Sequence, residues 1–160
     1  MTSLFNAAEV VDIGIEKEKA RRDFYKSVSQ HFDNAEMKDL FRQLSDWEEV
    51  HIRKFQSIRD DLKIPKPVES YQGELETYMK VLVDDRLYKE VTPDTFSKNV
   101  KTPVHAIDYG IEFEKDAILL FVELANFIQT KKKDVLMKLV EEERQHIVYL
   151  TKLRKRFEKA

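Results

Sequence analysis

Four long stretches of the chain repeat apolar residues every three or four positions, and this spacing predicts four amphipathic α-helices. Each stretch is roughly 25 residues long, which corresponds to about 38 Å at 1.5 Å per residue. The 160 residues include 3 glycines and 4 prolines, and so few turn residues argue against a β-rich fold. The predicted helices run from about Asn6 to Phe32, from Asp33 or Asn34 to before Pro65, from Thr102 to about Gln129, and from about Lys132 to the C-terminus.

Two of the predicted helix starts carry capping residues. Asn6 and Glu9 have the spacing of a capping box, in which the two side chains bind backbone N–H groups of the first turn. Thr102 is a favourable N-cap, and Pro103 suits the first turn because that position needs no N–H donor. These signals place the starts of the first and third helices.

The connections between the predicted helices differ greatly in length. Only a few residues join the first helix to the second and the third to the fourth, so each pair forms an antiparallel hairpin. Between the hairpins lie about 40 residues, Leu62–Lys101, with room for one shorter helix at Gly73–Asp85. The predicted fold is therefore all-α: a single domain over residues 1–160, built as a four-helix bundle of two antiparallel hairpins joined by a long crossover that contains a short helix.

Charge and cysteine content exclude several classes of protein. The 28 basic and 30 acidic residues give a net charge of -2, so the chain lacks the basic surface that nucleic-acid binding requires. Because cysteine is absent, disulfides, thiolate metal sites and iron–sulfur clusters are excluded, and any metal must have nitrogen and oxygen ligands. The N-terminus does not have the pattern of a secretory signal, and no apolar run is long enough for a membrane span. We therefore expect a cytoplasmic protein that binds neither nucleic acid nor membrane.

The two halves of the chain resemble each other. GIEKEKARRDFY (14–25) lies upstream of EEVH (48–51), and GIEFEKDAILLF (110–121) lies upstream of EERQH (142–146). The pattern is typical of a duplicated helical hairpin.

Each predicted helix carries a glutamate halfway along its apolar stripe, and two helices also carry a histidine three residues later, on the same face. Four buried carboxylates without counter-ions would be strongly unfavourable, and two divalent cations would supply the opposite charge. One Glu from each of two helices with Glu-x-x-His from the other two is the ligand set of di-iron and di-manganese carboxylate bundles. The candidate ligands are Glu18, Glu48, His51, Glu114, Glu143 and His146.

A single Glu-x-x-His pair is a weak signal, because glutamate is frequent in this chain and either residue can face solvent. The interpretation depends on two such pairs on apolar stripes, each with a glutamate about 30 residues upstream. His31 and His105 lack a glutamate partner and are expected at the surface, and Trp47 is expected to pack. Tyr25 follows Glu18 by seven residues on the same face, where its hydroxyl could hydrogen-bond a ligand carboxylate.

Over nearly its whole length the sequence resembles the rubrerythrin branch of the ferritin-like superfamily. The resemblance implies a ferritin-like four-helix bundle with a non-haem di-iron centre held by the six residues named above, although manganese or zinc is also possible. It further implies oxidoreductase chemistry with peroxide or dioxygen, and it makes a homodimer plausible. The matching elements are Glu18 with Tyr25, Glu48-x-x-His51, Glu114 with Ala117, and Glu143-x-x-His146 within LVEEERQHI.

Three features depart from the family pattern. The chain has no cysteines for a rubredoxin-like iron domain, so electrons must come from a separate donor such as a rubredoxin-type protein. Rubrerythrin has a further glutamate where this chain has Ala117, which puts its peroxidase-specific metal rearrangement in doubt. Arg21 occupies a position where the family favours a small residue, and the sequence does not decide whether it pairs with a carboxylate or turns outward.

The leading functional hypothesis is a di-iron peroxide reductase in which either Glu48 and Glu143 or Glu18 and Glu114 bridge the metals. A second hypothesis is a ferroxidase or iron-handling protein that uses dioxygen. A third is a metal-stabilised structural or regulatory bundle without turnover. A bis-histidine haem bundle is disfavoured, because the glutamates beside both histidines do not suit an apolar macrocycle.

Overall fold

Helices make up the fold in the part of the chain that the computed structural model describes, which is residues 7–61, 77, 81, 84, 86–126, 128 and 132–158. Within these residues there are four long helices and two of a single turn, and there is no strand. The predicted all-α fold is thereby confirmed. In chain order the helices are α1 (Ala7–His31), α2 (Ala35–Asp61), α3 (Arg86–Lys89), α4 (Phe96–Asn99), α5 (Pro103–Ala125) and α6 (Lys132–Glu158).

The four long helices pack as two hairpins, α1 with α2 and α5 with α6. Because only residues 32–34 separate α1 from α2, the two helices run antiparallel. The hairpins then meet through α1 against α5 and α2 against α6, which completes the predicted four-helix bundle. Among the described helices, none combines the length and the apolarity that crossing a membrane would require.

Side-chain caps fix two of the helix starts. Thr102 accepts a hydrogen bond of 3.1 Å from the backbone N–H of His105, as its sequence position predicts. The start of α2 is capped by Asn34, whose side-chain oxygen lies 3.1 Å from the backbone nitrogen of Met37. Of the two residues proposed for this start, Asn34 is therefore the cap and Asp33 lies outside the helix. The predicted cap at Asn6 lies outside the described residues.

The predicted end of α5 is wrong by four residues. The helix ends at Ala125, and the backbone N–H of Asn126 closes its last turn through bonds to the carbonyls of Glu123 and Leu124. Ile128 is nevertheless 2% exposed and packs in the core beyond the helix end. Its apolar side chain continues the helical spacing, which is why the sequence pattern extends the helix to Gln129.

The crossover is described only in part. The helix predicted at Gly73–Asp85 falls largely outside the described residues and stays a prediction. The described segment that follows contains α3 and α4, which the sequence analysis did not predict. Each buries an aromatic side chain, Tyr88 and Phe96 respectively, against the bundle core.

The core consists of two apolar clusters with a layer of buried polar side chains between them. The polar residues lie near the middle of each long helix, so the apolar clusters fill the two ends of the bundle. The first cluster is drawn from residues 10–15, 52–58, 117–128 and 136–140. The second is drawn from residues 24–44, 88–113 and 150–153.

Replacing the α2 cap should test the local assignment. Asn34→Ala is expected to lower the free energy of unfolding by about 1 kcal/mol, because the N–H of Met37 loses its side-chain acceptor. Asp33→Ala, one residue earlier, should lower it by less than about 0.5 kcal/mol. Urea denaturation of both variants measures the difference, and equal losses would contradict the assignment of the cap to Asn34.

Candidate metal centre

The six residues predicted as ligands meet in the polar layer between the two apolar clusters. All six are at most 4% exposed. They form two groups of four, and within each group every residue offers one ligand atom within 4.8 Å of the others. The groups are Glu18, Glu48, His51 and Glu143, and Glu48, Glu114, Glu143 and His146.

Glu48 and Glu143 belong to both groups. The two oxygens of Glu143 point in different directions, one 2.6 Å from Nδ1 of His51 and the other 3.3 Å from Nδ1 of His146. Glu48 is arranged in the same way, with one oxygen 3.6 Å from His51 and the other 3.8 Å from His146. Glu48 and Glu143 therefore lie between the two histidines, whereas Glu18 and Glu114 each belong to one group.

The two histidines face the cluster through Nδ1 and are held from outside by different neighbours. Nε2 of His51 lies 2.8 Å from a carboxylate oxygen of Glu142, a contact of the kind that fixes the orientation of a metal-binding imidazole. The ring of His146 instead stacks on Trp47, with centroids 4.8 Å apart and planes 9° apart. Trp47 thus packs, as the sequence analysis expects.

Tyr25 makes the hydrogen bond expected of it. Its hydroxyl donates to Oε1 of Glu114 at 2.6 Å and also lies 3.3 Å from the carbonyl oxygen of Gly110. A Cβ on Gly110 would lie 3.5 Å from the Tyr25 ring and 3.2 Å from Leu150, so the glycine allows this close approach of α5. Burial raises the pKa of Tyr25 well above its usual value, which keeps the hydroxyl protonated and able to donate.

Arg21 points into the cluster, which answers the question that the sequence left open. The guanidinium is buried, and Nη2 lies 2.7 Å from Oε1 of Glu18 and 3.3 Å from Oε2 of Glu48. Its other terminal nitrogen donates to the hydroxyl of Tyr88 at 3.0 Å. The chain therefore places a permanent positive charge beside two of the candidate ligands.

Burial and ion pairing act against each other in the ionisation of the cluster. Burial raises the pKa of Glu18 well above its ordinary value. Burial has the same tendency at Glu48, but Arg21 and hydrogen bonds with Glu18 and His51 hold its pKa well below that value. Of the two carboxyls, Glu18 is therefore the more readily protonated.

Nearby carboxylates also shift the pKa of His51. Burial alone would lower this pKa, but the close carboxylates of Glu143 and Glu48 raise it to about 11. The imidazole is therefore charged at neutral pH when no cation is bound. A metal ion needs the neutral ring, so its binding at His51 must release this proton.

Unpartnered polar atoms test whether the residues suit a metal. Among the residues that the structure describes, six carboxylate oxygens of the four glutamates and Nδ1 of both histidines are buried and make no well-formed hydrogen bond, although some of them lie within ion-pair distance of one another or of Arg21. Buried polar atoms normally make hydrogen bonds, so a cluster of buried atoms that make none is energetically unfavourable. All eight are oxygen or nitrogen atoms that bind first-row divalent ions, so the donor set fits a pair of such cations.

Comparison with known proteins shows which family the chain belongs to. The rubrerythrin family pattern matches residues 9–154. The chain belongs to the rubrerythrin family. Its fold also matches a ferritin-like diiron-carboxylate protein from Thermotoga maritima, with a TM-score of 0.71 and 21% sequence identity over 97% of this chain and 98% of that one. At that identity the likeness establishes the ferritin-like fold, and among curated proteins no sequence matches.

Membership of the rubrerythrin family confirms the resemblance seen in the sequence. Together with the buried carboxylate–histidine cluster, it supports a non-haem protein with a dinuclear metal site. His31 and His105, which were expected at the surface, are exposed and take no part in the cluster.

Two residues that contact the cluster of this rubrerythrin-family protein, Glu142 and Tyr88, were not predicted from the sequence. Glu142 precedes a candidate ligand directly and is part-exposed, so its position along the helix suggests a solvated residue. Tyr88 lies 67 positions from Arg21, in a segment without a helical repeat, and no local pattern links the two. The triplet EEE at 141–143 is the one sequence signal that could have drawn attention to Glu142.

Removing one histidine should remove one cation. His146→Ala is expected to bind about one ion per chain at saturating Co(II), against about two for the native protein, because one group of four loses its nitrogen ligand. His105→Ala removes an exposed histidine and should still bind two. Elemental analysis after desalting measures the stoichiometry, and two ions retained by His146→Ala would refute the ligand assignment.

The hydrogen bond of Tyr25 to Glu114 should support cation binding. Tyr25→Phe is expected to weaken binding at one site about tenfold, because the supporting donor is lost from the carboxylate. Tyr109→Phe is the control, since it removes a tyrosine hydroxyl from an exposed bond to Glu90. Titration with Co(II) gives the affinities. Unchanged binding in Tyr25→Phe would show that the hydroxyl does not support Glu114.

Proposed function

We propose that the protein is a non-haem di-iron oxidoreductase that reduces hydrogen peroxide with electrons from a separate donor protein of the rubredoxin type. The observation that supports this most is the pair of buried four-residue groups that share Glu48 and Glu143. Family membership adds the expectation that the cations are iron. In the proposal one ion is held by the group with Glu18 and His51, and the other by the group with Glu114 and His146.

The donor set suits ions that change oxidation state. Four carboxylates and two neutral imidazoles carry a charge of about -4, which offsets the two positive charges of each ferrous ion. When bound, two ferrous ions supply the two electrons that, with two protons, convert hydrogen peroxide to two molecules of water. Carboxylates also stabilise the additional positive charge that this oxidation leaves in a buried site.

The chain itself supplies orientation and hydrogen bonding. Tyr25 holds Glu114 through its hydroxyl, and Glu142 fixes the ring of His51. Trp47 covers one face of the His146 ring. These contacts pre-organise the candidate ligands, so that little rearrangement is needed when cations bind.

A cavity of about 260 Å³ reaches the outer side of both histidines. Its lining includes the aromatic side chains of Trp47 and Tyr149 and the charged side chains of Lys54 and Glu142. A water molecule occupies about 30 Å³ in the liquid, so a molecule as small as peroxide fits easily. We propose that the oxidant approaches the centre from this side.

Ala117 favours a second candidate function. The residue is buried in the apolar cluster beside the centre, at the position where rubrerythrin carries an additional glutamate. Because that carboxylate is absent, a ferroxidase is the second candidate. In this alternative Fe(II) is the substrate and dioxygen the oxidant.

The oxidant can be identified by comparing rates. Anaerobic protein loaded with two equivalents of Fe(II) is mixed with hydrogen peroxide or with dioxygen, and the ferric absorbance is followed by stopped flow. We expect oxidation by peroxide to be at least about tenfold faster at equal concentrations. A faster reaction with dioxygen would favour the ferroxidase, and an absence of oxidation by either would contradict both.

A further inference from the structure

We infer that Arg21 makes the two cation sites unequal, so that the group with Glu114 and His146 binds its cation more tightly than the group with Glu18 and His51. This inference rests on the proposed metal centre. It concerns the order and strength of loading, which neither the fold nor the family assigns for this chain.

Beside Glu18 and Glu114, the two halves of the centre differ in charge at an equivalent position. In the duplicated pattern, the residue three places after Glu18 is Arg21, and the residue three places after Glu114 is Ala117. Both side chains are buried, with exposures of 1%. One half of the centre therefore contains a cation of its own, and the other half has a methyl group at that position.

Arg21 contacts the half that contains Glu18. Its Nη2 lies 2.7 Å from Oε1 of Glu18, a carboxylate that belongs only to that group. A guanidinium at this distance lowers the negative charge available to a metal ion and repels the ion itself.

Glu114 has a neutral partner instead. The hydroxyl of Tyr25 donates to Oε1, while Oε2 is buried without a hydrogen-bond partner. The negative charge of this carboxylate is therefore oriented but not cancelled. Of the carboxylates common to both groups, Glu48 also lies 3.3 Å from Arg21, through the oxygen nearer to His51, so this second contact falls on the same half.

The guanidinium is held in place from behind. Nη1 donates to the hydroxyl of Tyr88 at 3.0 Å, and that hydroxyl donates to Asp116 at 2.9 Å. Asp116 in turn pairs with Lys17 at 3.0 Å. Since arginine does not lose its proton in proteins, a cation that enters the Glu18 group has to share the group with this charge.

Titration of the metal-free protein with Co(II) tests the inference, because the visible bands of Co(II) report its ligands as well as its amount. The native protein should bind two ions with dissociation constants that differ by at least about tenfold. His51→Ala should keep the tighter of the two binding sites. His146→Ala should keep the weaker site, since its remaining group includes Glu18.

Substitution of the arginine tests the cause. Arg21→Met keeps much of the side-chain volume without the charge. It should lower the dissociation constant of the weaker Co(II) site by at least about tenfold. Arg21→Lys restores a positive charge and should restore much of the difference. Arg22→Met is the matched control: it removes an arginine one position away, which pairs with Asp23 and Glu49 instead of the centre, and it should change neither constant.

The outcomes separate this inference from the proposed metal centre. If the native protein binds no Co(II), the metal centre itself is refuted. If it binds two ions with equal constants, or if Arg21→Met leaves their ratio unchanged, only the role of Arg21 is refuted. Should Arg21→Met fail to fold, the comparison of His51→Ala with His146→Ala still decides, since equal constants in these two variants would overturn the inference.

Discussion

The structure depends on how the charge of four buried carboxylates is compensated in the middle of a helical bundle. Isolated carboxylates at that depth would cost several kcal/mol each, and they also repel one another. The guanidinium of Arg21 and the raised pKa of His51 reduce the imbalance. Much of the cluster nevertheless lacks hydrogen-bond partners, which is the physical reason for assigning it to cations.

Much of this arrangement could be predicted from the sequence, because both of its main features are periodic. A glutamate that interrupts an apolar stripe is visible without coordinates, and the duplicated pattern places four such glutamates at the same height. The contacts that were not predicted do not follow a regular spacing in the sequence. Arg21 follows Glu18 by three residues, but its partner Tyr88 lies far along the chain, in the crossover. Ile128 produced an error of a different kind. It keeps the helical spacing although it lies past the end of α5, so the helix was predicted to be too long.

The duplicated halves share a backbone plan but surround the centre with different chemistry. The residue directly before each Glu-x-x-His pair contacts the histidine of the other pair. In one case it is the indole of Trp47 stacked on His146, and in the other it is the carboxylate of Glu142 beside His51. Together with Arg21, these contacts give each half its own polarity. Structural symmetry in this bundle therefore does not imply equivalent sites.

The separation of the apolar core into two clusters has a mechanical consequence. Each cluster is packed by its own side chains at one end of the bundle, and the second also reaches the charged layer through Tyr25 and Tyr88, which bond Glu114 and Arg21. We expect the apolar packing of both ends to hold the four helices in place when the layer gains or loses protons and cations. The bundle is thus held at both ends, and we expect a change of charge at its centre to move side chains of the layer more than the helices.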